Sequence, residues 1–330
     1  MTRRVLVLRA LGLGDLLAGV PALRGVRRAF PGHRVVLASP AGLAEAAVAT
    51  GAVDRVFAAE APRRGVPSLG HWTGSPPDVA IDLHGNGPKS RDVLAALTPG
   101  RLLAFAQADP RPALWRADEH ERDRWCRFLA AYGIAADPHD VRLPPPAAAS
   151  PARGAVVVHP GAESVSRRWP AERYAVVVRL LRASGRRVVV TGGPREVALT
   201  RDVAARAGLS ARDVLCGGLP YGELSALVAG AALVVSGDTG LAHLAVAHAT
   251  PSVTLFGPVS PRLWGPPPGS GRHVALWKPG PPGDPHGDVP DPRLLRIGAD
   301  EAVAAALTLL RAGLTQAAPT SPGISTVRPG

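Results

Sequence analysis

Short apolar runs alternate with stretches of helical periodicity along the chain, and this pattern predicts an α/β fold. Runs of four or five apolar residues are typical of buried strands, whereas apolar positions three or four apart predict helices. Strands that alternate with helices favour parallel sheets. In the first half, the pattern predicts strands at 5–8, 35–38, 55–58, 79–83 and 102–105 and helices at 43–50, 91–97 and 119–132. A further helix has Leu16, Val20 and Leu23 on one face, and Pro21 within it is unfavourable unless it lies in an early or kinked turn.

The alternation begins again after a proline-rich segment, 144–151, which offers little to a core and predicts a linker. The later strands are predicted at 156–159, 188–191, 214–215, 233–236 and 252–256, and the helices at 171–183, 197–207, 222–229 and 301–310. Residues 265–292 are rich in Pro and Gly and predict an irregular loop, and 315–330 predict a disordered tail. We therefore expect two domains, 1–145 and 146–314, with a cleft between them where the strands end.

Composition indicates a globular, basic protein with 46% hydrophobic residues and a net charge of +12. The 38 basic residues are all Arg except Lys89 and Lys278, a skew typical of GC-rich coding. Coding bias explains the charge better than nucleic-acid binding does, because the Arg residues are scattered. We expect no nucleic-acid partner, although a basic field can concentrate an anionic substrate.

Two further features limit the class of protein. Cys126 and Cys216 are far apart and form no disulfide or metal motif. No apolar run reaches the ~18 residues of a membrane span, and the run at 5–8 is too short for a signal-peptide core. We therefore expect a cytosolic, reduced protein with at most peripheral association with a membrane.

The segment Ser236-Gly-Asp-Thr-Gly-Leu-Ala-His243 follows an apolar run and precedes apolar residues near helical spacing. Glycines in a strand-to-helix turn let a ligand approach the backbone, and the first N–H groups of a helix have no internal partner. This turn suits a phosphate or diphosphate. An ordinary turn with Asp238 as helix N-cap is equally consistent with the local pattern.

The turn after the first strand carries Gly12, Gly14 and Asp15. It lacks the third glycine of a dinucleotide fingerprint and the Gly-Lys-Ser/Thr of a P-loop. Asp15 is either the helix N-cap, which the local pattern favours, or a general base that takes a proton from a substrate hydroxyl at the cleft.

Ser164 and Arg167 stand in the loop after the strand at 156–159. Hydroxyl and guanidinium groups are good hydrogen-bond donors to a diphosphate. The alternative is a solvated basic loop with Trp169 packed as an anchor.

Gly192, Gly193 and Glu196 follow the strand at 188–191. The glycines allow close approach to the backbone, and Glu196 could accept hydrogen bonds from ribose hydroxyls. The alternative is a glycine-rich turn with Glu favourably placed at a helix N-terminus. The histidines and acidic residues form no metal-binding pattern, and no G-x-S-x-G elbow indicates acyl hydrolysis.

Taken in order, these turns resemble glycosyltransferase family 9, the heptosyltransferase family. The matching motifs are R-x-x-G-L-G-D-x-x-x-x-x-P-x-L from Arg9, S-x-x-R-R-W-P from Ser164, the turn at 192–196, and S-G-D-T-G-L-A-H-L-A from Ser236 followed by P-S-V-T-L-F-G-P. The stretches A-I-D-L-H-G at 80–85 and H-E-R at 120–122 also resemble family landmarks. The resemblance covers residues 3–312, nearly the whole chain.

The resemblance implies a GT-B fold, in which two Rossmann-like domains face each other across a cleft. The acceptor would bind mainly to the N-terminal domain and the nucleotide-sugar donor, usually ADP-heptose, mainly to the C-terminal domain. The chemistry would be inverting and would need no metal or other cofactor. The acceptor would be a glycan, a glycolipid or a small molecule, as in the synthesis of cell-envelope glycans.

The resemblance also implies roles for individual residues, with Asp15 as the catalytic base. The residues implied to bind the donor diphosphate are Ser164, Arg167, Asp238, Thr239, Gly240 and His243. Those implied to bind the nucleoside are Gly192, Gly193 and Glu196. Those expected on the acceptor side are Gly12, Gly14, His84, Asn86 and Lys89.

One stretch departs from the family. Members often carry cysteines in the region that corresponds to 275–297, which here is rich in Pro and Gly and has no cysteine, so the acceptor stays open. Two other classes also stay open. One is a sugar-nucleotide epimerase or hydrolase on a similar scaffold, which needs no second carbohydrate. The other is a non-catalytic binder of nucleotides or nucleic acid, which only the basic charge suggests.

Overall fold

The computed structural model describes residues 2–62, 65–105, 114–281 and 283–317. Over these residues the chain forms two parallel sheets with helices packed against them, which confirms the predicted α/β fold. The N-terminal sheet has the order β3-β2-β1-β4-β5. Its strands are β1 Arg4–Leu8, β2 Arg34–Ser39, β3 Arg55–Ala58, β4 Val79–Asp82 and β5 Arg101–Leu103. Its helices are α1 Leu13–Ala18, α2 Val20–Ala29, α3 Ala44–Ala49, α4 Pro88–Ala95 and α5 Glu121–Ala130.

The C-terminal sheet has the order β11-β10-β9-β6-β7-β8. Its strands are β6 Val156–His159, β7 Val188–Gly192, β8 Val214–Cys216, β9 Leu233–Gly237, β10 Ser252–Leu255 and β11 His273–Leu276. Its helices are α6 Ala171–Ala183, α7 Val197–Arg206, α8 Tyr221–Ala229, α9 Gly240–Ala247, α10 Pro261–Trp264, α11 Pro292–Leu295 and α12 Ala299–Ala317. Within the described ranges, every helix is too short or too polar to span a membrane.

Both faces of the central strands are buried, which explains their nearly continuous apolar sequence. On β1, Val5 and Leu6 point into different core layers on opposite sides of the sheet. A third apolar layer joins the lobes, because Leu17 and Val20 pack with Val234 and its neighbours in the C-terminal lobe. Each fully buried apolar side chain of this kind contributes ~1.5–3 kcal/mol, so apolar contact stabilises the lobe interface beside α1.

The first predicted helix is in fact two helices. Helix α1 ends at Ala18, Gly19 is its C-cap, and α2 begins at Val20. Pro21 is therefore the second residue of α2, where the missing N–H costs no helical hydrogen bond. The break removes the conflict that Pro21 creates in a continuous helix.

The prediction of irregular loop across 265–292 is wrong in part. Strand β11 lies within this range and extends the sheet beside β10, in register from Ser252 with His273 to Leu255 with Leu276. At the end of the chain, α12 continues to Ala317, so its last turn overlaps the segment predicted as a tail. Residues 318–330, the rest of that predicted tail, lie outside the described residues.

The predicted linker, 144–151, contains neither helix nor strand. Just before it, the Leu143 N–H donates a hydrogen bond of 3.0 Å to the Ala247 carbonyl at the end of α9. The chain therefore already contacts the C-terminal lobe when it enters the proline-rich segment.

Candidate active site

A cavity of about 360 Å³ lies where the carboxyl ends of the two sheets face each other. Its volume is within the range of small-molecule sites. The N-terminal lobe contributes the turn between β1 and α1, and the C-terminal lobe contributes the loops that follow β6, β7, β9, β10 and β11. The lining residues are Gly12, Leu13, Gly14, Asp15, His159, Ala162, Glu163, Arg167, Glu196, Asp238, Thr239, Gly240, His243, Val259, Trp264, Pro285 and His286.

Asp15 is the third residue of α1 and borders the cavity. The helix N-cap is Gly12, so the interpretation of Asp15 as N-cap is wrong. Its carboxylate nevertheless satisfies the start of the helix, because Oδ2 accepts a hydrogen bond of 3.2 Å from the Gly12 N–H. The side chain therefore stabilises the turn and faces the cavity at once, and its role as a base stays a prediction.

The Arg9 side chain holds this turn in position. Its side chain is 1% exposed, and it donates to the Asp15 carbonyl at 2.7 Å and to the Leu83 carbonyl at 2.6 Å. The same guanidinium pairs with Glu121 at 3.0 Å, and Arg124 pairs with the other oxygen of Glu121. A buried ionic cluster thus fixes the backbone that carries Asp15.

The α9 turn differs in detail from the sequence interpretation. Thr239, with an extended backbone, is the N-cap of α9, so the interpretation of Asp238 as N-cap is wrong. Within the described residues, Thr239 Oγ1 and Arg167 Nε are buried and have no hydrogen-bond partner. Both residues line the cavity, so the start of α9, the positive end of that helix, borders it together with a guanidinium group.

The starts of α1 and α9 touch across the lobes because both carry glycine. A Cβ on Gly240 would lie 3.0 Å from Leu13 Cβ and 3.3 Å from Gly14 N. A Cβ on Gly14 would lie 3.0 Å from His243 Cδ2. Any larger residue at either position would therefore push the two turns apart.

His243 is a neutral imidazole in positively charged surroundings. Burial lowers its pKa to about 3, and the neighbouring side chains of Arg122, His120, Arg167 and Arg9 add to this effect. Its Nε2 lies 3.9 Å from Asp238 Oδ1. Several cationic groups from both lobes therefore act on the same cavity, which suits an anionic ligand.

Glu196 and His159 present two hydrogen-bond acceptors side by side. Glu196 Oε2 accepts a hydrogen bond of 2.8 Å from the Gly193 N–H and lies 3.7 Å from His159 Nε2. His159 Nδ1 lies 3.0 Å from the Thr191 carbonyl, which can only accept, so Nδ1 carries the proton. Burial lowers the pKa of His159 in spite of Glu196, so the ring is neutral and Nε2 is an acceptor. A Cβ on Gly161 would overlap the Glu196 carboxylate, at 2.1 Å from Oε1.

Other residues singled out from the sequence lie away from the cavity lining. Gly192 packs against α7, since a Cβ there would lie 2.1 Å from Thr200 Oγ1. Ser164 begins a short 3₁₀ turn. His84 Nδ1 accepts from the Ala10 N–H at 3.2 Å, beside the β1–α1 turn. Asn86 and Lys89 are exposed before and within α4.

Sequence reasoning missed several lining residues, among them His159, Trp264 and His286. His159 is the last residue of β6, so the rule that ligands bind where strands end could have found it. Trp264 directly precedes the Pro- and Gly-rich stretch 265–292, and His286 lies within it. The composition of this stretch gives no such signal. In the part of the chain that the structure describes, no group of three His, Cys, Asp or Glu side chains could hold a metal ion.

Residues 135–281 match the sequence profile of glycosyltransferase family 9 (heptosyltransferase). Lipopolysaccharide heptosyltransferase 1 from Salmonella typhimurium is 28% identical over 306 residues, which cover 79% of this chain and 90% of that protein. The resemblance to glycosyltransferase family 9 is confirmed. Lipopolysaccharide heptosyltransferase 3 from Escherichia coli is 31% identical over 124 residues, and this match spans 37% of the chain but only 36% of that relative.

A solved heptosyltransferase structure is also similar to this chain. The Escherichia coli ADP-heptose lps heptosyltransferase II superposes with a TM-score of 0.73 at 19% identity, covering 96% of this chain and 100% of that one. At this identity the likeness concerns the fold, and it confirms the GT-B arrangement of two α/β lobes around a cleft.

Proposed function

We propose that this protein is an inverting, metal-independent glycosyltransferase. It moves a sugar, most simply a heptose, from ADP-heptose or a related nucleotide sugar to a hydroxyl of a glycan, glycolipid or small-molecule acceptor. One observation carries the proposal: Asp15 of one lobe and Thr239 and Arg167 of the other line a single cavity. The match to the family profile and the similarity to heptosyltransferases support it.

The reaction follows from that arrangement. The acceptor oxygen attacks the anomeric carbon while the bond from this carbon to the diphosphate oxygen breaks, and the nucleoside diphosphate leaves with the electron pair. Asp15 takes the acceptor proton. Thr239, Arg167 and the start of α9 stabilise the charge that grows on the leaving diphosphate. An acceptor that approaches from the Asp15 side, while the C-terminal lobe holds the departing diphosphate, attacks the opposite face of the sugar and inverts the anomeric centre.

The charge of the cavity favours the donor rather than a neutral sugar. Arg9, Arg122 and Arg167 all act on His243 strongly enough to help keep it neutral. A neutral His243 can donate one hydrogen bond to a phosphate oxygen without adding a further buried charge. The positive charges around the cavity are then available to bind the diphosphate.

The nucleoside end of the cavity fits a ribose. Glu196 and neutral His159 offer adjacent acceptors, and a vicinal diol offers two adjacent O–H donors. We expect both 2′-deoxy-ADP and 3′-deoxy-ADP to bind more weakly than ADP. The loss should be about 10–100-fold for the hydroxyl that bonds Glu196, because a hydrogen bond to a charged group contributes ~1.5–3 kcal/mol, and about 2–10-fold for the one that bonds neutral His159. Isothermal titration calorimetry measures the three dissociation constants.

Glu196→Gln should reduce this preference for the diol. Glu163→Gln, which changes another acidic residue of the cavity lining, should leave it intact. Equal affinities of the wild-type protein for ADP and both deoxy analogues would contradict the ribose assignment.

A panel of nucleotide sugars tests the function itself. We expect ADP-heptose to bind and, without an acceptor, to be hydrolysed slowly. Binding of no member of a panel with ADP, UDP and GDP sugars would contradict the proposal. Full turnover of the donor without any acceptor would instead favour the epimerase or hydrolase alternative, and tight salt-dependent binding of DNA would favour a nucleic-acid binder.

A further inference from the structure

One carbonyl oxygen of the C-terminal lobe is bonded twice by the N-terminal lobe. The Gly265 carbonyl, directly after α10, accepts hydrogen bonds from His120 Nε2 at 3.1 Å and from Arg122 at 3.0 Å. Gly265 and Arg122 are buried, and His120 is half-buried. The contact joins the start of α5 to the end of α10 across the cleft.

The chemistry of His120 is fixed from both sides. His120 is the N-cap of α5, and its Nδ1 accepts a hydrogen bond of 3.1 Å from the Arg122 N–H. Nδ1 is therefore unprotonated, and Nε2 carries the hydrogen that the Gly265 carbonyl accepts. Burial, and then the charge of Arg122, lower the pKa of His120, so the ring keeps this form at neutral pH.

Arg122 is an unusual side chain to use for such a contact. Burial lowers its pKa to about 10, so it is still cationic at neutral pH. Over the described residues, its side-chain hydrogen bond goes to the Gly265 carbonyl and not to a carboxylate. A buried cation is costly when it has few partners, so the Gly265 carbonyl is an important partner of the Arg122 side chain.

The segment that this contact holds carries an aromatic wall of the cavity. Trp264, the residue before Gly265, lines the cavity. Its ring lies 6.0 Å from that of His243 at an angle of 74°, and His243 in turn faces Gly14 at the start of α1. Trp264 is therefore close to the contact between α9 and the start of α1, which carries Asp15, so a sugar held between a diphosphate at α9 and the base would lie beside the indole.

We propose that Trp264 is a specificity-determining residue for the transferred sugar, and that His120 and Arg122 are positioning residues that hold it through the Gly265 carbonyl. The proposal rests on the proposed glycosyl transfer. The indole offers a large apolar surface to the C–H face of a sugar ring and an N–H at its edge for a hydroxyl. Removing the ring should affect the sugar but not the nucleotide.

The test compares ADP with ADP-heptose on the purified full-length protein. For Trp264→Ala we expect the dissociation constant of ADP to change less than twofold and that of ADP-heptose to rise at least tenfold, with partial recovery in Trp264→Phe. For Arg122→Lys we expect the KM for ADP-heptose to rise about fivefold at nearly constant kcat. Arg127→Lys, on the same helix but paired with Glu119, is the matched control and should change neither constant.

The outcomes separate this inference from the function on which it rests. An equal loss of affinity for ADP and ADP-heptose in Trp264→Ala, or no loss for either, overturns the inference and leaves the glycosyltransferase proposal standing. If Arg122→Lys does not fold, the two Trp264 variants still decide the part played by the indole. If the wild-type protein binds neither ADP nor ADP-heptose, the proposed function itself is wrong.

Discussion

Asp15→Asn should lower kcat by about 10²–10⁴, the usual contribution of a general base, while the affinity for ADP-heptose stays nearly constant. The amide cannot take the acceptor proton, but its oxygen can still accept the Gly12 N–H bond that stabilises the start of α1. Loss of rate therefore cannot be attributed to loss of the turn. Steady-state kinetics with an active acceptor, and calorimetry with donor alone, measure the two effects separately.

The control for this variant is Asp92→Asn. Asp92 is an exposed residue of α4 whose partner is Arg91, so its substitution should change neither kcat nor donor affinity. Turnover of Asp15→Asn at the wild-type rate would remove Asp15 as the base. A parallel loss of donor affinity would mean that Asp15 shapes the donor site instead.

The strands were predictable because parallel sheets buried on both faces need apolar runs. Runs such as 5–8 and 156–159 were predicted as buried strands, and they are strands β1 and β6. The turns that follow them meet at one cavity. Strand β11 escaped prediction for the opposite reason: its residues are only half-buried at the sheet edge, and the surrounding Pro and Gly residues indicate loop.

Boundaries of helices were predictable only where the local signal was unambiguous. The pattern of Leu16, Val20 and Leu23 fits one helix, yet Gly19 and Pro21 together divide it. Pro21 indicated an irregularity in this helix, but the periodicity of the apolar residues could not decide between a kink and a second helix. The two separate helix starts matter because the first of them carries Asp15.

The site was predictable as a set of turns but not as a set of contacts. Carboxyl ends of parallel strands indicate which turns face the cleft, and this led to Asp15, Arg167 and Thr239. It could not indicate that Gly265, far along the chain from His120, would share a hydrogen bond with it. Contacts between the lobes depend on how the two folded lobes pack against each other. Short-range patterns of residues in the sequence do not contain that information.

Glu121 supports the Asp15 turn through Arg9. It pairs with Arg9 and Arg124, and the Trp125 Nε1–H donates to it at 2.7 Å. Burial alone would raise the pKa of Glu121, but the charges of Arg9 and Arg124 and the bond from Trp125 hold it below its ordinary value. All three charged side chains are less than one-tenth exposed.

Glu121→Gln should therefore lower the free energy of unfolding by about 3–5 kcal/mol, the typical loss when a buried ion pair is left with an uncompensated charge. Urea denaturation followed by circular dichroism measures it. Asp202→Asn breaks an exposed pair with Arg206 on α7 and should give no measurable change. Equal stabilities of Glu121→Gln and the wild-type protein would show that the cluster is not a stabilising feature.

The pH dependence of this difference is a second check. Because the folded protein holds the pKa of Glu121 below the ordinary value of 4.5, the carboxylate stabilises the fold fully above that pH and loses its effect as the pH falls through the lower folded value. The gap between wild type and Glu121→Gln should be constant at neutral pH and narrow in acid. The same substitution frees Arg9, which bonds the Asp15 carbonyl, so kcat should fall in Glu121→Gln even at temperatures where the protein remains folded.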